Sequence, residues 1–179
     1  MKSLRLPGLV FAVHPTTNGF GWILFEQPDM PLDWGIATAK AGRKLRIVNR
    51  FERLLTRHDP DVLVMEVFEG SGSNRSERIQ ALCHTFIRSS AARGLDTQVY
   101  DREAVRDCLG LPMRASRHDV TTSIARRVAD LSHRLPRKRN LWNAEDPRQS
   151  LFHAAALAFT HFATNGHDLP PPAHSGAPE

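Results

Sequence analysis

The pattern of apolar and polar positions predicts three short strands at the start of the chain. An apolar run covers residues 9–13, and a turn over 15–19 separates it from a second strand at 20–25. A third strand is predicted at 32–39. Because connections of this length join neighbouring strands, we expect the three strands to form an antiparallel meander.

After the meander, helical periodicity alternates with strand-like runs. Apolar residues recur on one face over 44–57, 78–93 and 117–133, which predicts three amphipathic helices. Apolar runs at 62–65 and 97–100 predict two further strands. The run at 62–65 is continuous, which is typical of a buried strand in a parallel arrangement.

The last predicted helix is apolar on nearly every side, so we expect it to be buried. Asp146 at the N-cap, Pro147 at the first helical position and Gln149 at the third form a helix-start signal. The helix is expected to run to about Ala163. A Pro-rich tail at 165–179 follows and is predicted to be disordered.

These elements predict a single domain over residues 1–164. With a short helix capped by Asp101, their order is β-β-β-α-β-α-β-α-α-α. A meander followed by right-handed crossovers produces an α/β fold with a mixed five-stranded sheet, antiparallel and then parallel, flanked by helices. This is the element order of ribonuclease H-like folds.

The distribution of charge adds a candidate partner. The chain has 24 Lys and Arg against 19 Asp and Glu, for a net charge of +5. A local cationic surface attracts phosphate backbones, although a solvated helix face followed by a basic loop gives the same pattern. Eight cations lie close together in the sequence, with only two acidic residues among them: Arg114, Arg117, Arg126, Arg127, Arg134, Arg137, Lys138 and Arg139.

Composition disfavours several other classes of protein. No run of about 18 apolar residues occurs, so no transmembrane helix and no membrane partner are predicted. The N-terminal segment lacks a small-residue cleavage site, and we interpret it as the first strand. Cys83 and Cys108 have no metal-ligand spacing and are expected to be reduced thiols. We therefore expect a cytoplasmic protein.

Four short motifs carry candidate chemistry. In chain order they are the strand–turn–strand segment 12–22, the strand end 64–68, the cation-bearing segments 105–106 and 115–117, and the start of the last helix at 145–158. Together they resemble the motifs of RuvC-type Holliday junction resolvases, and the resemblance covers about residues 9–163. It implies a ribonuclease H-like fold that binds or cleaves branched DNA as a homodimer, since resolving a two-fold junction needs two symmetric nicks.

The resemblance also implies roles for individual residues. Glu66 falls where the family has a metal ligand, and Phe68 where an aromatic side chain stacks on bases at the junction centre. Strand alternation puts Phe68 on the same side as Glu66, with ordinary core packing as the alternative for Phe68. Arg106 and Arg117 fall where the family has DNA-phosphate lysines. We expect four more cations to widen this DNA-binding surface: Arg114, Arg137, Lys138 and Arg139.

The chain departs from the family at two acidic positions. His14 stands where the family has its first Asp, and His153 stands where it has an Asp in the last helix. Ser150 replaces a further acid that many relatives carry. Asp146 shares a helix face with Ser150 and His153, so its carboxylate is a candidate for the missing oxygen ligand, as is that of Glu145.

These departures change the expected metal chemistry. The family uses two hard cations bridged by a carboxylate, which a neutral imidazole cannot replace. Two imidazoles and one carboxylate suit Mn²⁺ or Zn²⁺ better than Mg²⁺. We therefore predict a divalent-cation site at His14, Glu66 and His153, and a catalytic set formed by these residues with Asp146.

Three interpretations stay open at this point. The chain is a structure-selective endonuclease for branched DNA with an altered, His-containing metal site. Alternatively, it has lost catalysis and binds branched DNA without cleaving it. In the third interpretation, His14 and His153 pack against each other and hold no metal at all.

Overall fold

A computed structural model of the chain describes residues 8–40, 42–70, 75–138 and 145–173. Its centre is a five-stranded sheet formed by β1 (Val10–Thr16), β2 (Gly19–Gln27), β3 (Met30–Thr38), β4 (Val62–Glu66) and β5 (Asp96–Tyr100). The strand order in the sheet is β3-β2-β1-β4-β5. The first three strands pair antiparallel, and β4 and β5 add to β1 in parallel. The predicted mixed sheet and α/β class are confirmed.

Helices cover both faces of this sheet. The first two lie on one face, and the other described helices lie on the opposite face, where the last helix packs across β1 and β2. They are α1 (Lys44–His58), α2 (Glu77–Ala91), α3 (Arg102–Cys108), α4 (Arg117–Arg127), α5 (Ala129–Ser132) and α6 (Gln149–Thr164).

One predicted helix is interrupted. The helix expected over 117–133 ends at Arg127, because Val128 has an extended backbone with φ −115° and ψ 93°. A β-branched side chain favours extended backbone over helix, and Val128 still reaches the core from this conformation. The prediction of one continuous helix was wrong at this point.

The start of α6 also differs from its prediction. Asp146 accepts a hydrogen bond from the backbone N–H of Arg148 at 2.9 Å, and its carboxylate pairs with the Arg148 guanidinium. A tight turn follows, in which the N–H of Gln149 donates to the carbonyl of Asp146 at 3.0 Å. Regular helix begins only at Gln149, so Asp146 stabilises the turn that precedes the helix and is not its N-cap.

Strand alternation decides which side chains reach α6. Along β1, Val10, Ala12 and His14 share the face that α6 covers, and Val64 precedes Glu66 on that face of β4. The opposite face of the sheet packs against α1 and α2 through a separate apolar core. The sheet therefore delivers one imidazole and one carboxylate to the buried last helix.

Gly21 permits the close approach of α6 to the sheet. It pairs with His14 across β1 and β2. A Cβ atom at Gly21 would overlap the backbone of Ser150 and Leu151, at the beginning of α6. A larger residue here would push the first turn of α6, and with it His153, away from His14.

The beginning of the predicted tail makes contacts with the domain. The backbone N–H of Ala173 donates to the carbonyl of Arg126 at 2.8 Å, and the Arg127 guanidinium donates to the carbonyl of Pro170 at 2.9 Å. Leu169 packs against the core around α6. Residues 174–179 lie outside the described part, and the division into domain and tail stays a prediction. None of the helices that the structure describes is long and apolar enough to span a bilayer.

Candidate functional site

His14, Glu66 and His153 come together at one end of the sheet. Val13 pairs with Met65 across the parallel strands β1 and β4, so the next residues, His14 and Glu66, lie side by side. His14 Nε2 is 3.1 Å from Glu66 Oε2. The ring of His14 stacks on that of His153, with centroids 5.0 Å apart and planes at 29°. Three positions that are distant in sequence thus form one cluster.

Two arginines that sequence reasoning missed complete this cluster. Arg75, which lies just before α2, donates from Nη2 to Glu66 Oε2 and from Nη1 to the carbonyl of Pro15 at 2.8 Å. Its Nη2 is also 2.9 Å from His14 Nε2. Arg102, the first residue of α3, donates from Nε to Glu66 Oε1 at 2.7 Å. Each carboxylate oxygen of Glu66 therefore has a guanidinium partner.

These partners determine the charge of Glu66. Its side chain is buried, with a relative exposure of 9%, and that of Arg75 is 7%. Burial by itself would raise the pKa of Glu66, but the hydrogen bond with His14, the charge of Arg75 and the hydrogen bond from Arg102 hold that pKa far below its usual range. Glu66 is therefore an ionised carboxylate with a buried guanidinium as counter-ion.

This arrangement does not fit the predicted divalent-cation site. Glu66 is the single carboxylate of the cluster, and a cation at its Oε2 atom would have to displace the guanidinium of Arg75. The Nε2 atom of His14 is engaged by the same two groups. Within the ranges that the structure describes, no group of three His, Cys, Asp or Glu residues could hold a metal ion. The physical reason is local charge, since an intrachain cation already neutralises the carboxylate.

Both histidines of the cluster are neutral near pH 7. Burial lowers the pKa of His14 and lowers that of His153 further, because the neighbouring ring and arginines also disfavour a second cation. His14 Nδ1 and His153 Nε2 are enclosed and have no hydrogen-bond partner among the described residues. The stacked pair thus presents neutral rings with hydrogen-bonding atoms that the described fold leaves unmet.

Acidification from pH 7.5 to pH 5 is expected to lower the free energy of unfolding by on the order of 1–2 kcal/mol. His14 and His153 have lowered pKa values in the folded state, so the unfolded chain binds more protons once the pH falls below about 6.5. Urea unfolding at the two pH values measures the change. His153→Gln should reduce the difference, and an unchanged difference would contradict this origin.

Asp146 lies at the rim of the cluster and is held there by Arg148. Its carboxylate pairs with the Arg148 guanidinium at 2.6 Å, and Glu145 pairs with Arg117 at 2.6 Å. The Ser150 hydroxyl donates to the carbonyl of Pro147 at 2.6 Å. Asp146, Glu145 and Ser150 line a groove of about 500 Å³ that also reaches His14 and Arg75. The structure thus puts Asp146 and Glu145 on the wall of the groove, each carboxylate already paired with an arginine.

The predicted DNA-binding cations divide into two groups. Arg106 and Arg117 line a small pocket beside Glu66 and His153. Arg114, Arg137 and Lys138 are exposed and do not line this pocket, and Arg139 lies outside the described residues. Contact of any of them with DNA stays a prediction.

Phe68 occupies a different place from the one that alternation suggested. It is 7% exposed and belongs to the core between the sheet and the helices α1 and α2, on the face opposite to Glu66. Its ring packs edge-on against His84, with centroids 5.1 Å apart. Strand geometry ends at Glu66, so the period of two no longer applies two residues later. The placement of Phe68 beside Glu66 was wrong, and its stacking on bases stays a prediction.

The two missed arginines left only a weak signal in the sequence. Arg102 directly follows Asp101, the predicted cap of a short helix, and Arg75 ends the polar loop that follows Glu66. Each arginine stands just before or at the start of the helix that follows β4 or β5. A buried carboxylate such as Glu66 needs a counter-charge, and this is the feature that could have suggested the two arginines. Nothing in periodicity indicates that either side chain turns inward.

Comparison with known proteins supports the fold assignment. No protein-family model matches the sequence, and no curated protein matches it. Among solved structures, Thermus thermophilus RuvC is similar with a TM-score of 0.65 and 18% identity, over 90% of this chain and 99% of that one. The complex of T. thermophilus RuvC with a Holliday junction substrate is similar with a TM-score of 0.62 and 17% identity, over 90% of this chain and 99% of that one. The yeast mitochondrial Holliday junction resolvase is similar with a TM-score of 0.56 and 12% identity, over 89% of this chain and 79% of that one. The chain therefore has the fold of the RuvC Holliday junction resolvases, which its four motifs resemble.

Proposed function

We propose that this protein binds branched DNA and does not cleave it by metal-dependent hydrolysis. The fold supports the first part, together with the cations that line the groove and the small pocket beside Glu66. One observation carries the second part. The Arg75 guanidinium forms a buried ion pair with Glu66, the residue whose carboxylate the resemblance assigns to a metal ion.

Arg75 performs the structural role that a metal ion would otherwise have beside Glu66. It ties the segment before α2 to the end of β4 through Glu66, and to β1 through the carbonyl of Pro15. Arg102 adds the start of α3 to the same carboxylate. Ion pairs internal to the chain thus maintain the shape of the groove, and a DNA strand meets a preformed cationic wall.

In this proposal the protein acts by recognition. Arginine guanidinium groups bind backbone phosphates by forked hydrogen bonds, without selecting a base sequence. Selectivity for a branch then comes from the shape of the surface that presents these arginines. The homodimer implied by the resemblance would present two such surfaces to a two-fold junction.

Binding and cleavage of a labelled four-way junction separate this function from that of an altered-site nuclease. We expect retarded complexes and no nicks in the presence of Mg²⁺, Mn²⁺ or Zn²⁺, with products resolved on denaturing gels. A RuvC-type resolvase on the same junction is the positive control, and linear duplex of the same sequence tests selectivity. Nicks that disappear in a Glu66→Gln variant would show that the nuclease interpretation is correct.

A further inference from the structure

A stripe of five arginines runs along one side of α1, from its N-cap to its last turn. Successive members are three or four residues apart, which is the spacing that brings side chains to the same side of a helix. All five are exposed, and α1 lies on the face of the sheet opposite to α6. The arginine stripe consists of Arg43, Arg46, Arg50, Arg53 and Arg57.

Acidic side chains leave most of this charge uncompensated. Arg57 Nη2 is 3.8 Å from Asp33 Oδ2 on β3, and the Arg57 side chain is still 69% exposed. Glu52, the one acidic residue of α1, pairs instead with Arg93, which follows α2, at 2.9 Å. The other four arginines of the stripe form no ion pair with any residue that the structure describes. The stripe is therefore a cationic surface separate from the groove and from the small pocket beside Glu66.

These arginines disfavour the helix that carries them. The first turn of α1 has no acidic residue, while Arg43 is the N-cap and Lys44 and Arg46 follow it, where the helix macrodipole disfavours cations. Arg43 also forms no side-chain hydrogen bond that would cap the helix. Like charges three or four residues apart repel one another along the whole stripe. Local choices that oppose the stability of an element are typical of functional surfaces.

The apolar side of α1 is not available to a lipid bilayer. A helix that lies on a membrane inserts its apolar side chains into it. In α1 these side chains are buried against the sheet and α2, and Leu45 at the start of the helix is its one large apolar side chain that is well exposed. The buried side comprises Ile47, Phe51, Leu54 and Leu55. The stripe is thus suited to a polyanion in water.

The dimensions of the stripe fit the backbone of duplex DNA. From Arg43 to Arg57 the helix advances about 21 Å, at roughly 1.5 Å per residue. Along that distance one strand of a duplex presents about six phosphates, at roughly 3.4 Å of helix axis each. Guanidinium groups bind such phosphates by forked hydrogen bonds and do not select a base sequence.

We propose that the arginine stripe of α1 is a second DNA-binding surface, which binds a segment of duplex while the groove binds another DNA. One protein molecule then joins two DNA segments. The inference rests on the proposed function for one point only, that the DNA in the groove is branched. The stripe is a convex ridge that offers phosphate contacts alone, so it binds DNA more weakly than the groove and does not set the affinity for a dilute junction.

Capture of a second DNA by a protein–junction complex tests this surface. A biotinylated four-way junction is immobilised and saturated with protein, and a short fluorescent duplex is added after a wash. We expect the wild type to retain the duplex, with retention falling steeply between about 50 and 200 mM salt. Arg46→Glu together with Arg50→Glu should lower the retained duplex at least about tenfold and leave the amount of bound protein unchanged, because two phosphate contacts become repulsive.

Arg78→Glu together with Arg88→Glu is the matched control. It changes the charge of the chain by the same amount at exposed positions of α2, outside the stripe and the groove, and should leave retention of the duplex unchanged.

Stability distinguishes a lost surface from a damaged fold. Arg46→Glu with Arg50→Glu removes like-charge repulsion and puts an acid in the first turn of α1, so the midpoint of urea unfolding should rise. If the midpoint falls instead, Arg46→Gln with Arg50→Gln replaces this pair, and retention of the duplex should again decrease.

Three outcomes would overturn the inference. Equal retention by the wild type and the stripe variant would assign the second duplex to the groove of a partner subunit. Equal losses in the stripe and α2 variants would reduce the effect to net charge. Retention of fluorescent poly-glutamate in place of the duplex would indicate a surface for an acidic protein.

The proposed function fails separately from the stripe. A protein that loads equally on an immobilised linear duplex and on the junction, and then captures a second duplex through the stripe, keeps this inference and loses selectivity for branches. A protein that binds the junction and captures no duplex keeps the proposed function and loses the second surface.

Discussion

Arg75→Ala is expected to lower the free energy of unfolding by about 3–5 kcal/mol, because it leaves Glu66 as a buried carboxylate without its buried counter-ion. Both side chains are below 10% exposed, at 7% and 9%, so water cannot readily replace the lost partner. The change also removes the hydrogen bond from Arg75 to the carbonyl of Pro15. Urea unfolding near pH 7 measures the difference.

Arg102→Ala is the matched control for this prediction. Arg102 pairs with the same carboxylate, but its side chain is 50% exposed, so we expect a loss below about 1 kcal/mol. In a double-mutant cycle, Glu66→Gln should cost much less in an Arg75→Ala background than in the wild type. Equal small effects of Arg75→Ala and Arg102→Ala would show that the buried pair does not organise the site.

Arg106→Glu together with Arg117→Glu is expected to lower the affinity for a four-way junction at least about 100-fold, since each charged phosphate contact is worth roughly 1.5–3 kcal/mol. Both side chains border the pocket beside Glu66. The dependence of affinity on salt should also become less steep, because fewer counterions are released from the DNA. Fluorescence anisotropy with a labelled junction over a range of salt concentrations measures both effects.

A second pair of charge reversals tests whether the loss of affinity comes from this surface or from the change in the net charge of the chain. Arg46→Glu together with Arg50→Glu changes the charge of the chain by the same amount, at exposed positions of α1. Because α1 lies on the opposite face of the sheet, we expect little loss of affinity at physiological salt. Equal losses in the two double variants would mean that the surface around Arg106 and Arg117 is not the DNA-binding surface.

Local pattern was sufficient for most of the fold. Apolar periodicity predicted the five strands and the long helices, because burial of one face imposes a period that neighbouring residues share. The prediction from local pattern failed where tertiary contacts overrode a local preference. Val128 breaks a helix while its side chain stays in the core, and α6 begins at Gln149 and not at the capping signal of Asp146.

For the candidate site, the resemblance of the sequence motifs to the resolvases predicted that His14, Glu66 and His153 meet, and the structure brings them together at one end of the sheet. Only the tertiary structure decided what they form there. Arg75 and Arg102 turn inward because a buried carboxylate must find a counter-charge, and Phe68 turns to the other face because strand alternation ends at Glu66. Such directions depend on which groups are near in space, and no local period of the sequence encodes them. The identity of the cation beside Glu66, a guanidinium of the chain where a metal ion was predicted, is therefore a property of the folded molecule.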